Sequence, residues 1–163
     1  MYQLGKTSLQ RLDGVHPNLV KVVQRAIELS PMDFAVNEGL RTLERQRRLA
    51  ASGASQTLNS KHLKQADGFG HAVDLVPWGD FDGNGTSEMS WHWGHFYPIA
   101  EAMRAAAKEL GVRVRWGGCW QCLNDTTKPA QELVADYSAA RRAVGKRRLW
   151  MDRILSCVRG AHE

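Results

Sequence analysis

Residues 60–75 read Ser-Lys-His-Leu-Lys-Gln-Ala-Asp-Gly-Phe-Gly-His-Ala-Val-Asp-Leu, and this stretch decides both the fold and the chemistry that we predict. Residues 72–76 show the alternation and β-branched side chains of a strand, which Pro77 is expected to end. His62 then lies in a loop, and Asp74 lies on the strand that follows.

A loop histidine and a strand aspartate can converge on one cation. Neutral imidazole and carboxylate are both ordinary zinc ligands, with bonds of about 2.0–2.2 Å. A hydrogen-bonded structural pair uses the same two residue types. Spacing alone leaves both interpretations of His62 and Asp74 open.

Working outward, helical spacing of apolar residues predicts helices over residues 17–30, 42–51, 91–110 and 132–144. Short strands are predicted over residues 33–37, 72–76 and 112–116. These elements alternate without a βαβ rhythm, and no linker is long enough to divide the chain. We therefore expect an α+β domain with a small, mainly antiparallel sheet flanked by helices.

Composition restricts the class of protein. The chain has 163 residues, and 22 Lys and Arg against 17 Asp and Glu give a formal charge of +5. No apolar run approaches the roughly 20 residues of a membrane span, and residues 1–6 lack the apolar segment of a signal peptide. We expect a soluble protein made in the cytoplasm, whose acidic partner is a nucleic acid, an anionic membrane surface or a polymer such as the bacterial cell wall.

The three cysteines do not form a disulfide framework, because their number is odd. Only Cys119 and Cys122, in Cys-Trp-Gln-Cys, have a suggestive spacing. A zinc knuckle or redox pair is one interpretation. Structural thiols are the favoured one, because free cysteines are commonly buried.

Three blocks of sequence together resemble one family. Ser60-x-His62 is followed by Gly-His-Ala-Val-Asp at residues 70–74, residues 39–46 contain Gly-x-Arg-Thr-x-x-x-Gln, and residues 115–120 read Arg-Trp-Gly-Gly-Cys-Trp. This order is similar to that of the D-alanyl-D-alanine carboxypeptidase (VanY-like) and phage L-alanyl-D-glutamate endolysin family of zinc metallopeptidases. The resemblance spans residues 14–145.

The resemblance implies a hedgehog/D-Ala-D-Ala-peptidase-like fold and a role for four residues. His62 and Asp74 are the implied zinc ligands, and Arg41 is the implied catalytic residue that stabilises the developing oxyanion. An Arg suits that task because it stays charged and holds its donors in a fixed fork. The alternative is an Arg41 that only packs, or that pairs with Glu38 or Glu44. Ser60 is expected to orient the loop or bind substrate, and His71 to lie outside the ligand set.

The chain departs from the family at its C-terminal end. The family's third ligand and its acid/base lie in an Asp-Gly-Pro-His-Phe-Glu-Leu segment, which this sequence does not contain. We therefore divide the chain into a peptidase-like domain, residues 1–147, and an atypical tail, residues 148–163. Residues 63–73 separate His62 from Asp74, which is a longer interval than in the compact signature, and we interpret residues 64–69 as a loop insertion.

A frame shift explains the tail. With suitable synonymous codons for residues 149–158, reading from the third base of the Leu149 codon gives Leu-Asp-Gly-Pro-His-Phe-Glu-Leu-Arg. Trp150, Met151 and Asp152 force the Asp-Gly part whichever synonyms are used. We hypothesise that the tail is out of frame relative to an active ancestor.

Two other motifs contain residue types that bind cations. Residues 80–86, Asp-Phe-Asp-Gly-Asn-Gly-Thr, match the first half of an EF-hand calcium loop, but Trp91 stands where the bidentate Glu belongs. A simple Gly/Asp turn is favoured over weak calcium binding. For His92 and His95 we favour packing or a surface position over metal binding.

These observations favour a zinc-dependent peptidoglycan peptidase of the endolysin type, which cleaves a stem-peptide amide, expected to be L-alanyl-D-glutamate. Its alternative is a catalytically inactive wall-binding domain. A nucleic-acid binder is disfavoured, because the sequence has no recognisable binding motif. We expect a monomer that stays in the host cytoplasm until it is released to the wall.

Overall fold

The computed structural model describes residues 1–146 and the backbone of Leu155–Val158. The helices of this part of the chain are α1 (Lys6–Arg11), α2 (Pro17–Leu29), α3 (Leu43–Ala51), α4 (Trp93–Glu109) and α5 (Ala130–Ala143). Its strands are β1 (Phe34–Glu38), β2 (Ala72–Gly79), β3 (Glu88–Met89), β4 (Val114–Trp116), β5 (Gln121–Cys122) and β6 (Leu155–Val158). A 3-10 turn, Leu123–Asp125, follows β5.

The strands form one sheet in the order β1-β2-β6-β4-β5, and β3 pairs with the far end of β2. Every pairing is antiparallel. Helices α2 and α4 pack against each other over this sheet. The α+β prediction, with a small antiparallel sheet flanked by helices, is therefore confirmed.

The two faces of β2 lie in different environments. Val73 and Leu75 belong to the apolar core beneath α2 and α4, together with Val114 and Trp116 of β4. Because side chains alternate along a strand, Asp74 points to the opposite face. That face carries the candidate site.

A β-bulge brings a second carboxylate to the same face. Val36 pairs with Leu75 in regular register, but the next pair is Glu38 with Asp74, so the register shifts between Val36 and Glu38. Without this extra residue Glu38 would point to the core face, as Val36 does. The bulge re-aims Glu38 toward Asp74.

Helix α1 covers the exposed edge of β1, and sequence analysis did not predict it. It has only six residues, and its N-cap makes no side-chain hydrogen bond, so the usual sequence signals are weak. Its tertiary contacts are specific: the Ser8 hydroxyl accepts from the Val36 N–H at 3.0 Å, and Arg11 Nη1 donates to the Val36 carbonyl at 2.9 Å. These contacts satisfy edge groups that β1 would otherwise expose.

The prediction that Pro77 ends β2 is wrong, because the strand continues to Gly79. Proline has no N–H, yet its carbonyl accepts from the Ser90 N–H at 3.1 Å. Beyond it, the Trp78 N–H donates to the Asp33 carbonyl at 3.0 Å. Strand β2 therefore continues through Pro77, at a position where its pairing does not need a backbone N–H donor.

The predicted boundary between residues 147 and 148 lies outside the described residues, as does most of the predicted tail. Within the tail, the backbone of Leu155–Val158 pairs with both β2 and β4, with Leu155 opposite Asp74. In the described part of the chain, no helix is both long and apolar enough to cross a membrane.

Candidate active site

His62 is held by two backbone contacts to the turn after β1. Its ring Nδ1 lies 2.8 Å from the Gly39 carbonyl, and its own carbonyl accepts from the Arg41 N–H at 2.8 Å. A carbonyl only accepts, so Nδ1 carries a proton, and in the neutral ring the lone pair is on Nε2. His62 is only 2% exposed, and Nε2 makes no hydrogen bond in the described structure.

Gly39 is required at that turn. A Cβ added there would lie 1.9 Å from the Arg11 carbonyl oxygen, which is a backbone atom and cannot rotate away. Only glycine allows this close approach, which places the Gly39 carbonyl beneath His62. The Gly39 of the recognised sequence block is thus a positioning residue for His62.

Asp74 faces His62 across a short gap. Its Oδ1 lies 3.2 Å from His62 Nε2, yet neither atom makes a hydrogen bond with the other or with the rest of the described structure. Two buried lone pairs at this distance repel each other unless a cation lies between them. Ligand atoms around a tetrahedral zinc are about 3.3 Å apart when the bonds are about 2.0–2.1 Å. His62 and Asp74 fit a zinc ion.

Arg41 reaches this site and is buried, with 6% of its surface exposed. Its Nη2 lies 2.6 Å from Glu38 Oε2 and 3.6 Å from Asp74 Oδ2. Its Nη1 donates to Gln46 Oε1 at 2.7 Å. The structure therefore shows the pairing of Arg41 with a glutamate beside Asp74, and the catalytic role of Arg41 stays a prediction.

Glu38 is the anchor of this arrangement. Burial raises the pKa of its carboxyl, but ion pairs with Arg41 and Arg45 outweigh burial and lower that pKa from 4.5 to about 2. Glu38 is therefore ionised throughout the physiological range. From the sequence, Glu38 is predicted only as a possible partner of Arg41. Its position beside Asp74 depends on the β-bulge, which has no sequence signal of its own here.

Gln46 is a second residue whose role the sequence did not show. It is fully buried on α3, and its Nε2 donates to the Ser55 hydroxyl at 2.8 Å and to the Thr57 carbonyl at 2.5 Å. It therefore ties Arg41 to the loop after α3. A glutamine among the leucines on one face of a predicted helix was the available signal.

Ser60 orients the loop that carries His62. Its hydroxyl accepts from the His62 backbone N–H at 3.2 Å. The structure thus supports the first of its two expected roles. Binding of substrate by Ser60 stays a prediction.

No third side chain completes the His62–Asp74 pair among the described residues. The one group of three or more metal-ligating side chains found there is a different one, formed by His16, Asp67 and His71. The residues where the family's third ligand is expected lie outside the described residues.

The other candidate ligands occupy separate environments. Cys119 is buried and Cys122 half-buried, and both are free thiols; burial raises the pKa of the Cys119 thiol. His95 stacks on Phe81 with ring centres 4.3 Å apart, and its Nδ1 lies 2.6 Å from the Ser90 hydroxyl. These contacts agree with packing rather than ligation.

The predicted Gly/Asp turn at residues 80–86 is folded around its first side chain. The Asp80 carboxylate accepts from the N–H groups of Gly83 and Gly85, each at 2.8 Å, and the Asp82 carboxylate accepts from the Asn84 N–H at 3.1 Å. Asn84 adds two more bonds within the turn, because its Nδ2 donates to Asp82 Oδ2 and its Oδ1 accepts from the Thr86 N–H, each at 2.8 Å. Calcium binding is not needed to account for the turn.

Comparisons with known proteins place the chain in a family. Residues 1–137 match the family described as phage L-alanyl-D-glutamate peptidase. The L-alanyl-D-glutamate peptidase of Escherichia phage T5 is 34% identical over 129 residues, which are 76% of this chain and 85% of that protein. The crystal structure of the Serratia marcescens L-Ala D-Glu endopeptidase ChiX matches with a TM-score of 0.62 and 41% identity, over 79% of this chain and 86% of that one. The chain therefore belongs to the phage L-alanyl-D-glutamate peptidase family.

Proposed function

We propose that this chain is a zinc-dependent peptidoglycan peptidase that hydrolyses the amide between L-alanine and D-glutamate of the stem peptide. Family membership and the activities in the names of its two relatives support the substrate. The observation that carries the metal is the buried pair of His62 Nε2 and Asp74 Oδ1, which face each other at 3.2 Å without hydrogen bonds.

The surrounding side chains suit amide hydrolysis. When bound, zinc lowers the pKa of a coordinated water to about 7 and polarises the scissile carbonyl. Arg41 lies 3.6 Å from Asp74, and Glu38 and Gln46 fix its two terminal nitrogens. We propose that Arg41 donates to the oxygen that gains negative charge in the transition state. Ser60 orients the His62 loop and is proposed to contact substrate.

The competing function is an inactive domain that binds the wall. The observation that favours it is the absence from the sequence of the Asp-Gly-Pro-His-Phe-Glu-Leu segment. Two protein ligands hold zinc less firmly than three. The peptidase proposal accordingly includes reduced activity for this chain relative to a chain with that segment.

Further expectations go with the proposal. The partner is the anionic cell wall, toward which a formal charge of +5 speeds encounter. Binding to nucleic acid is not expected, and the chain is expected to be a monomer that acts after release from the host cytoplasm. Weak calcium binding at Asp80 and Asp82 is the minor expectation for the turn at residues 80–86.

Lysis of bacterial cells with permeabilised outer membranes separates the two functions. The peptidase proposal predicts a loss of turbidity that EDTA abolishes and added zinc restores. Binding to purified wall with no lysis at any zinc concentration would favour the inactive domain. The matched control for Asp74→Asn is Asp136→Asn. Asp136 is exposed, lies far from Asp74 in the sequence and pairs with Lys128.

A further inference from the structure

A second group of metal-ligating side chains lies outside the proposed active site. His16, Asp67 and His71 each offer one ligand atom, and these three atoms all lie within 4.8 Å of one another. The Asp67 oxygen is 2.6 Å from His71 Nε2 and 3.8 Å from His16 Nε2. We propose that this group is a second binding site for a late first-row divalent cation of the zinc type.

The backbone fixes the two histidines beside each other. The Gly70 N–H donates to the Gly14 carbonyl at 2.9 Å, and the His16 N–H donates to the Gly70 carbonyl at 2.8 Å. These bonds join the start of α2 to the residue before His71 as a parallel bridge. The two rings meet edge to face, with centres 5.1 Å apart. Their closeness is therefore built by the fold and does not depend on side-chain freedom.

Asp67 is oriented toward the same point. Its Oδ1 accepts from the Phe69 N–H at 3.1 Å, and its Oδ2 accepts from His71 Nε2 at 2.6 Å on the side that faces the His16 ring. Such a hydrogen bond to the outer oxygen is the usual way in which a protein fixes a ligating carboxylate. Two imidazoles and one carboxylate form a donor set that suits zinc, with water at the remaining position.

The distances between the ligand atoms of His16, Asp67 and His71 allow zinc to bind after small side-chain movements. Ligand atoms around tetrahedral zinc lie about 3.3 Å apart. The 2.6 Å hydrogen bond between His71 Nε2 and Asp67 Oδ2 opens by about 0.7 Å when an ion enters, and the 3.8 Å gap from Oδ2 to His16 Nε2 closes by about 0.5 Å. Side chains of all three residues are partly accessible, with 15%, 21% and 42% exposed for His71, His16 and Asp67, so an ion can enter from solvent.

Binding requires a change of tautomer at both histidines. His71 Nε2 donates to Asp67 Oδ2 at 2.6 Å, because a carboxylate only accepts, and this proton must move to Nδ1 before Nε2 can bind an ion. In the metal-free chain His16 Nδ1 accepts from the Asn18 N–H at 3.2 Å, so the neutral His16 ring carries its proton on Nε2. Coordination through His16 Nε2 moves this proton to Nδ1 and opens the capping bond. Pro17 at the first helical position still favours the start of α2. The tautomer change gives the site a spectroscopic signature.

The site links segments around the proposed active site without sharing a ligand with it. Asp67 and His71 lie in the interval between His62 and Asp74, and His16 is the N-cap of α2. An ion at this group therefore ties the inserted loop to that helix. The inference does not rest on peptidase activity.

Cobalt binding by the Asp74→Asn variant tests it, because that change disables the other metal pair. After removal of metal with a chelator, this variant is expected to bind one equivalent of Co²⁺. Adding His16→Ser, which keeps an N-cap acceptor, is expected to weaken binding at least tenfold, and so is adding Asp67→Asn. Adding His92→Ser is the matched control, because His92 is also an exposed helix N-cap, and binding is expected to be unchanged.

Two results with the variants overturn the proposal. One is an Asp74→Asn variant that binds no cobalt although circular dichroism shows that it is folded. Cobalt bound through thiolates, detected by charge-transfer absorption, has the same meaning. The other is equal binding with and without His16→Ser and Asp67→Asn. In the unmutated protein, long-range ¹H–¹⁵N spectra with Zn²⁺ are expected to shift Nε2 of His16 and His71. Unchanged resonances would contradict the site even if a variant failed to fold.

Discussion

His62 Nε2 and Asp74 Oδ1 lie 3.2 Å apart in the protein interior, and neither forms a hydrogen bond in the described structure. The Gly39 carbonyl binds the opposite ring nitrogen, which leaves the Nε2 lone pair directed at the carboxylate. An arrangement of this kind is unfavourable by itself and favourable around a cation.

The first prediction concerns Asp74→Asn in metal-free protein. The amide supplies an N–H that His62 Nε2 can accept, and the buried negative charge is removed. We expect the unfolding free energy in EDTA to rise by about 1 kcal/mol, which corresponds to about 2–4 °C in Tm for a chain of this size. Thermal unfolding with EDTA and with zinc measures both effects: the variant is expected to lose the stabilisation that zinc gives to the unmutated protein.

Asp136→Asn provides the control, since the Asp136 carboxylate is exposed and pairs with exposed Lys128 at 2.6 Å. Its expected effect is within about 0.5 kcal/mol. A lower Tm for Asp74→Asn in EDTA would contradict the account of the two lone pairs.

The second prediction concerns Glu38 and acid. Its pKa of about 2 in the folded chain, against 4.5 ordinarily, means that ionised Glu38 stabilises the fold. This contribution is complete above about pH 4.5 and is lost as the pH falls toward 2. Glu38→Gln should therefore cost about 2 kcal/mol at pH 7, with a smaller difference from the unmutated protein at pH 3.

Urea unfolding at pH 7, 5, 4 and 3 measures that difference. Glu44→Gln is the matched control, because Glu44 is exposed and its contact with Arg48 is long, at 3.8 Å. A Glu38→Gln penalty that stays constant from pH 7 to pH 3 would show that the ion pairs with Arg41 and Arg45 are not its cause.

The third prediction concerns Gly39→Ala. A methyl group 1.9 Å from the Arg11 carbonyl forces the backbone to move, and the carbonyl that orients His62 moves with it. We expect a loss of about 3 kcal/mol of stability together with weaker zinc binding. Gly5→Ala is the control, because nothing lies within 4 Å of its added Cβ.

Calorimetric zinc titrations of the two alanine variants, at a temperature where both are folded, separate stability from positioning. If Gly39→Ala binds zinc as tightly as Gly5→Ala, the Gly39 carbonyl does not position His62.

The fourth prediction concerns the tail. Replacing residues 149–158 by Leu-Asp-Gly-Pro-His-Phe-Glu-Leu-Arg supplies one more imidazole and one more carboxylate. Zinc affinity is expected to rise at least about tenfold, since a third protein ligand completes the usual catalytic set. The same replacement with Gln in place of its His is the control, and it is expected to show no gain.

The gene itself gives an independent check on this prediction. A coding sequence in which no other reading frame encodes this peptide would end the frame-shift hypothesis. The zinc titration would still test whether the site lacks a ligand.

Sequence patterns predicted those parts of the structure that depend on local periodicity. The core faces of α2 and α4, and the alternation that turns Asp74 away from Val73 and Leu75, follow from spacing. Motif order also brought His62, Asp74 and Arg41 to one place. What spacing does not encode is the bulge that re-aims Glu38, the edge contacts of α1 with Val36, and the continuation of β2 beyond Pro77. Each of these depends on contacts between residues distant in the chain.

Product analysis of a defined muramyl peptide by mass spectrometry tests the central claim most directly. With zinc present, we predict cleavage at the L-alanyl–D-glutamate amide, which yields a peptide with D-glutamate at its new amino terminus. Cleavage should be faster after the tail replacement and should stop with EDTA or Asp74→Asn. An intact substrate with both folded proteins, cleavage at a different amide, or an unchanged rate for Asp74→Asn would contradict a zinc peptidase site at His62 and Asp74.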